Sequence, residues 1–157
     1  RCHLEIVDDL RAALDDVAAA GLGGALDVGN ANTYGGCYNP RFSRDSWNLS
    51  RHAIGMALDT NTTTNCQGCR PQMNCDVVRI FRRHNFTWGG NFSRPDGMHF
   101  EWVGEPRDQI AYDSDYCANV VDATAGEGDR TLSDVAEPTV LGQTVLVAGT
   151  EDELHDH

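Results

Sequence analysis

Val7, Leu10, Leu14 and Val17 recur at three- and four-residue intervals, with Asp8, Asp9, Arg11, Asp15 and Asp16 in the positions between them. That period puts one apolar stripe on a helix, and it predicts an amphipathic helix over 4–20 stopped by Gly21, Gly23 and Gly24. Residues 25–49 lack such a period, and their Gly, Asn, Pro and Ser content predicts short strands joined by loops. Residues 56–60 read as a buried strand, and 61–74 as a polar, cysteine-bearing loop. A second helix is expected over 75–84, with Val77, Val78, Ile80 and Phe81 turned inward and Arg79, Arg82 and Arg83 outward. Residues 86–88 and 98–103 have the aromatic, alternating character of strands. Beyond about residue 124, Gly, Asp, Glu and Thr dominate. The expected organisation is therefore a domain over 1–124 and an acidic tail or linker over 125–157, where 140–147 is a patch that could add one strand.

A chain of 157 residues holds one domain with a real core. No run reaches the ~18 apolar residues of a membrane span; the longest candidate, 140–148, is broken by Gly142, Gln143 and Thr144. The chain begins at Arg1, so any signal peptide is expected to have been removed or not included. The net charge of -12 is lopsided: 11 Asp/Glu face 10 Arg in residues 1–104, and 13 face only Arg107 and Arg130 in 105–157. Such a tail repels a phosphate backbone, which sets nucleic-acid binding aside. The chain has no lysine. Cys2, Cys37, Cys66, Cys69, Cys75 and Cys117 suggest an oxidising compartment and up to three disulfides, with pairing left open. Cys66-x-x-Cys69 with Cys75 could also be a metal or redox motif. A thiolate zinc site wants four ligands, and no fourth Cys or His lies at short spacing, so disulfides are favoured.

The chemistry concentrates in two stretches. Ser50–Asp59 supplies His52 and Asp59, seven positions apart; Asp96–Glu101 supplies Asp96, His99 and Glu101. Two imidazoles and one carboxylate leave a fourth position free on tetrahedral zinc, the composition of a catalytic site. Seven residues of helix would separate His52 and Asp59 by ~10.5 Å along the axis, and seven of strand by ~23 Å on opposite faces. Neither brings both to one ion, so the chain must bend, most cheaply at Gly55. His99 and Glu101 alternate onto one face of a short strand, with Phe100 and Trp102 on the other. Asp96, in the turn-prone Pro95-Asp96-Gly97, can lean over the ion without ligating it.

These residues resemble the zinc D-alanyl-D-alanine carboxypeptidase and L-alanyl-D-glutamate endopeptidase family, which includes VanY-type enzymes. Its Ser-x-His-x-x-Gly-x-Ala-x-Asp signature stands as Ser50, His52, Gly55, Ala57 and Asp59. Its Trp-Gly-Gly and Asp-x-Met-His-Phe-Glu stand as Trp88-Gly89-Gly90 and Asp96, Met98, His99, Phe100 and Glu101. Arg41, after Cys37, looks like the arginine upstream of the first signature. The resemblance covers about residues 25–104. It implies an α+β fold, a small antiparallel sheet flanked by helices, shared with the hedgehog signalling domain. It further implies Zn²⁺ on His52, Asp59 and His99, Asp96 as general base, and Arg41 at the carbonyl oxygen.

The expected activity is hydrolysis of a peptide bond in peptidoglycan stem peptides, either L-Ala-D-Glu or D-Ala-D-Ala, by a secreted or cell-wall-associated monomer. Glu101 is expected to orient a ligand imidazole, and Ser50 to support the site from the same outer position. Trp88 and Phe92 are expected in the core or on a cleft wall that touches substrate. His3, His84, His155 and His157 have no ligand-like context. The alternative is a non-catalytic module that keeps zinc as a fold element and grips wall peptide or a protein partner; Asp96 argues against it, because a binding module has no use for a base there.

Overall fold

A computed structural model of the chain describes residues 1–44, 46–109 and 112–120. The chain divides into two units, Arg1–Val121 and Asp122–His157, and every described residue belongs to the first. The expected tail over 125–157, with its 140–147 patch, lies outside the described residues.

His3 opens helix α1 (Leu4–Ala19): its Nδ1 accepts the Glu5 N–H at 3.2 Å, satisfying an amide that a helix start otherwise leaves free. The buried stripe is Ile6, Ala13 and Val17, with Leu10 and Leu14 at its margins. Val7 is only half-buried, so the helix is rolled slightly from the stripe that the sequence predicts. Asp9 accounts for the roll. Expected on the outer face, it accepts from the Trp102 indole at 2.6 Å and from Asn85 Nδ2 at 2.8 Å, tying α1 to the sheet.

Helix α2 (Cys75–Arg83) starts at Asn74, whose Oδ1 accepts from the amides of Asp76 and Val77. Val77, Val78, Ile80 and Phe81 are buried, as their spacing predicts. Arg82, expected outside, has 0% exposure. Its Nη2 donates to the Arg107 carbonyl at 3.0 Å, and its guanidinium lies 3.9 Å from the Tyr112 ring centroid. The chain after the last strand returns over this face and is fastened by the Cys75–Cys117 disulfide. Helical periodicity carries no sign of a later segment covering a polar face.

The sheet has three strands, β1 (Ala57–Asp59), β2 (Phe86–Trp88) and β3 (His99–Trp102), in the antiparallel order β1-β3-β2. The fold is α+β, as expected. Leu58, Phe86, Trp88 and Phe100 form its core side; Phe81 of α2 stacks on Phe86 and Phe100 at centroid distances of 5.5 and 4.5 Å. The opposite side carries Asp59, His99 and Glu101. Residues 25–49 form no strands among those described, only the isolated bridges Gly36↔Asp59 and Phe42↔Leu49. Their Gly, Asn and Pro content breaks any ladder after one rung. The cysteines pair as Cys2–Cys37, Cys66–Cys69 and Cys75–Cys117. Among the described residues no helix is long and apolar enough to cross a membrane.

Candidate metal centre and catalytic cleft

Ser50 starts the site. Its Oγ accepts the His52 N–H at 3.3 Å and caps a single 3₁₀ turn, Arg51–Ile54, on which His52 sits. Gly55 ends that turn at φ +70°, a left-handed conformation, and there a Cβ would lie 2.9 Å from the His3 amide nitrogen. The bend required between His52 and Asp59 therefore occurs at Gly55, after a turn of 3₁₀ helix rather than a plain loop. β1 then carries Asp59 straight across from His99 of β3. Register thus joins two residues forty positions apart.

Three atoms meet at this point. His52 Nε2 is 3.0 Å from Asp59 Oδ1 and 3.1 Å from His99 Nδ1, and His99 Nδ1 is 3.1 Å from Asp59 Oδ1. The other nitrogen of each ring is already committed. His52 Nδ1 donates to the Cys37 carbonyl at 2.7 Å, and His99 Nε2 donates to Glu101 Oε2 at 3.2 Å. Because a carbonyl and a carboxylate only accept, those bonds turn a lone pair of each ring inward. The burial of His99 disfavours charge, but its hydrogen bonds to Asp59 and Glu101 outweigh that and push its pKa up to about 9. Burial likewise works against ionised Asp59, and its bonds to His52 and His99 win, holding it below the usual carboxylate range. The bond from His99 also lowers Glu101. The cluster is built around positive charge.

A tetrahedral zinc with bonds of ~2 Å needs donors about 3.3 Å apart, and two imidazole nitrogens with one carboxylate oxygen are a usual donor set. The near-equilateral triangle of 3.0–3.1 Å edges fits such an ion, and His52, Asp59 and His99 form a group that could hold a metal. Asp96 belongs to the same cleft without joining the triangle. Its Oδ1 is buried and has no hydrogen-bond partner, and burial raises its pKa, with Asp59 adding to the rise and His99 and Arg41 opposing it. Gly89 makes the room: a Cβ there would stand 2.6 Å from the Asp96 carbonyl oxygen and 3.0 Å from His99 Cβ.

Residues 44–102 match the family model for D-alanyl-D-alanine carboxypeptidase. No curated protein and no solved structure matches the chain. The carboxypeptidase match spans His52, Asp59, Asp96, His99 and Glu101, and it begins three residues after Arg41.

Around the carboxypeptidase-like core lies a cavity of about 820 Å³, lined by Arg41, Ser50, Asp59, Phe92, Asp96, His99 and Glu101 among others. Arg41 reaches Asp59 Oδ2 with Nη2 at 3.5 Å. Phe92 stands on the wall, 5.9 Å from the His99 ring. Trp88 does not. At 1% exposure it is core, its indole donating to the Gly97 carbonyl at 2.9 Å, so a direct substrate contact is corrected to a packing role. A large ring on the helix-facing side of β2 cannot also face the cleft. His3 caps α1 and His84 pairs with Asp16 at 2.8 Å, both away from the triangle; His155 and His157 lie outside the described residues.

The sequence reading missed four contributors. The Cys37 carbonyl orients His52, Arg51 pairs with Glu101 at 3.8 Å, Gln67 bridges to Asp96, and the 42–49 hairpin forms a wall of the cavity. Arg51 alone had a local signal, since it lies within the first signature. The others depend on contacts between distant segments.

Proposed function

We propose that the chain is a zinc peptidase that hydrolyses a peptide bond in peptidoglycan stem peptides, with the activity in residues 1–124. The observation that carries this reading is the convergence of three inward-facing donor atoms beside a buried carboxylate oxygen with no partner. His52 Nε2, Asp59 Oδ1 and His99 Nδ1 would hold the ion. When bound, zinc supplies a Lewis acid that brings the acidity of water near neutral pH and polarises a carbonyl.

The remaining chemistry belongs to the chain. Asp96 Oδ1 accepts the proton of the attacking water and passes it to the leaving amine, for which a raised pKa is suited. Arg41 stands at the cleft mouth, where its guanidinium can hold the substrate carbonyl oxygen as charge develops. Glu101 keeps the proton of His99 on Nε2 and so keeps Nδ1 available. Ser50 fixes the turn that presents His52. Phe92 supplies an apolar wall. Three disulfides suit a protein working outside the cytoplasm.

The test is metal analysis together with mass spectrometry of products from a defined stem peptide. Free D-alanine marks a carboxypeptidase, and a cut after L-alanine marks an endopeptidase. His52→Ala is expected to lose both metal and turnover; full activity in that variant would end the proposal. Binding of wall peptide without turnover, unchanged in Asp96→Asn, would favour the zinc-containing binding module.

A further inference from the structure

The loop at 61–74 is absent from the signatures yet packs against the turn that carries Asp96. Gln67 forms an antiparallel bridge with Asp96, and the Gly68 N–H donates to the Pro95 carbonyl at 2.6 Å. Asn65, 1% exposed, accepts the Met98 N–H on its carbonyl at 3.0 Å. The two residues that meet Pro95 and Asp96 are the ones enclosed by the Cys66–Cys69 disulfide. Gly68, inside the ring, holds φ +83°, a left-handed conformation that favours glycine. Asp96 Oδ1 itself has no hydrogen bond to fix it, so its position depends on its backbone neighbours. Those neighbours are the Gly89 carbonyl, which accepts the Asp96 N–H at 2.8 Å, the His99 N–H, which donates to the Asp96 carbonyl at 3.1 Å, and Gln67 across the bridge.

We propose that the Cys66–Cys69 disulfide is a positioning element for Asp96: it clamps Gln67–Gly68 against Pro95–Asp96 and sets where the carboxylate stands in the cleft. Its catalytic consequence rests on the peptidase reading; its structural consequence does not. Opening the ring frees the Gln67–Gly68 side of the turn and lets the Asp96 side chain shift, while His52 and Asp59 stay in place and His99 is kept by its pairing with β1 and its bond to Glu101. The bridge is also reachable. Cys66 and Cys69 are both half-exposed, whereas each of the other disulfides has one buried sulfur, on Cys37 or Cys117. A trialkylphosphine would open it by taking oxygen from water to become the phosphine oxide, while the two sulfurs gain the electron pair and two protons as thiols.

The experiment compares wild type with Cys66→Ser/Cys69→Ser and with wild type reduced by the phosphine and alkylated. Mass spectrometry confirms that only residues 66 and 69 are modified. In both altered proteins kcat on a stem peptide falls between about tenfold and a hundredfold, the penalty of a misplaced catalytic group. KM and zinc affinity stay within about twofold, and the acidic limb of the kcat–pH profile, which reports the base, moves. Amide hydrogen exchange supplies a reading independent of turnover: the Gly68 and Met98 amides lose protection at least about tenfold while those of α1 and α2 do not. If the double variant does not fold, Gly68→Ala strains the same turn with the disulfide intact and is expected to lower kcat alone. Unchanged protection at Gly68 and Met98, or zinc affinity falling in parallel with kcat, overturns the proposal. A wild type that turns over no stem peptide defeats the peptidase reading instead and leaves the exchange result to decide this one.

Discussion

His52 and His99 present opposite nitrogens to the same point, Nε2 from one ring and Nδ1 from the other, because their outer partners differ in kind and reach. The Cys37 carbonyl approaches His52 at Nδ1, whereas Glu101, two residues along the strand from His99, reaches its Nε2. Each ring, when neutral, is thereby held in one tautomer. Glu101→Gln keeps the size and one accepting oxygen but removes the negative charge that holds the His99 proton and pairs with Arg51. Zinc affinity, read by competition with a chromophoric chelator, should fall roughly 10–100-fold. Asp96→Asn is expected to behave differently. It leaves the triangle alone, so metal content stays at wild-type level while kcat drops about 10²–10⁴-fold. In metal-free wild type, the Asp96 carboxyl, followed by NMR, should titrate upward of an ordinary aspartate, since burial raises it.

The element that makes this site is the β1–β3 pair, and its register does what no single residue can. Asp59↔His99 and Ala57↔Glu101 place one candidate ligand opposite another and a small residue opposite the acid that bonds His99. A slip of one residue would turn all of them into the core. Gly89 then decides how closely Asp96 can approach. Gly89→Ala should destabilise the protein by about 1–3 kcal/mol, the range for overpacking a filled site. It should weaken both zinc binding and turnover, because the added carbon meets Asp96 and His99 together. Gly24→Ala, with nothing within 4 Å of the new carbon, is the control and should leave both unchanged. This scale also shows what could be read from the chain beforehand. The bend at Gly55 and the face shared by His99 and Glu101 were legible because each depends on residues within ten positions, and the candidate donors His52, Asp59 and His99 because they stand in two short signatures. The burial of Arg82 and the inward place of Asp9 were not, because Tyr112, Arg107, Asn85 and Trp102 reach them from distant parts of the chain. The hairpin bridge Phe42↔Leu49 was hidden for another reason: a single rung leaves no alternation to detect.

At the scale of the whole molecule, the proposed metal site is expected to couple metal to stability, with pH revealing the coupling. In metal-free protein the proton on His99 stands where the ion would. Its folded pKa of about 9 lies above the ordinary histidine value of 6.5, so the stability it contributes is complete below pH 6.5 and is lost as pH rises through about 9. Asp59 runs the other way: its folded pKa is depressed, so its contribution is present above the ordinary aspartate value of 3.8 and is lost as pH falls below it. Chelator-treated protein should therefore be most stable between about pH 4 and 6.5 and should lose melting temperature steadily towards pH 9. Zinc-loaded protein should not show that alkaline loss, because the ion replaces the proton and binds more tightly as the proton leaves. Thermal melts of both forms across this range are the measurement, and a metal-free melting curve flat from pH 6.5 to 9 would contradict a cluster organised around positive charge. The same comparison isolates the disulfides. Cys75–Cys117 closes 42 residues and joins α2 to the returning segment, and neither cysteine belongs to the triangle. Replacing both with Ala should cost roughly 4 kcal/mol on a chain-entropy argument, lowering both melting curves alike while the pH-dependent gap between them persists. A gap that shrinks in that variant would mean the metal site draws its geometry from the whole fold rather than from the β1–β3 pair and the turn before it.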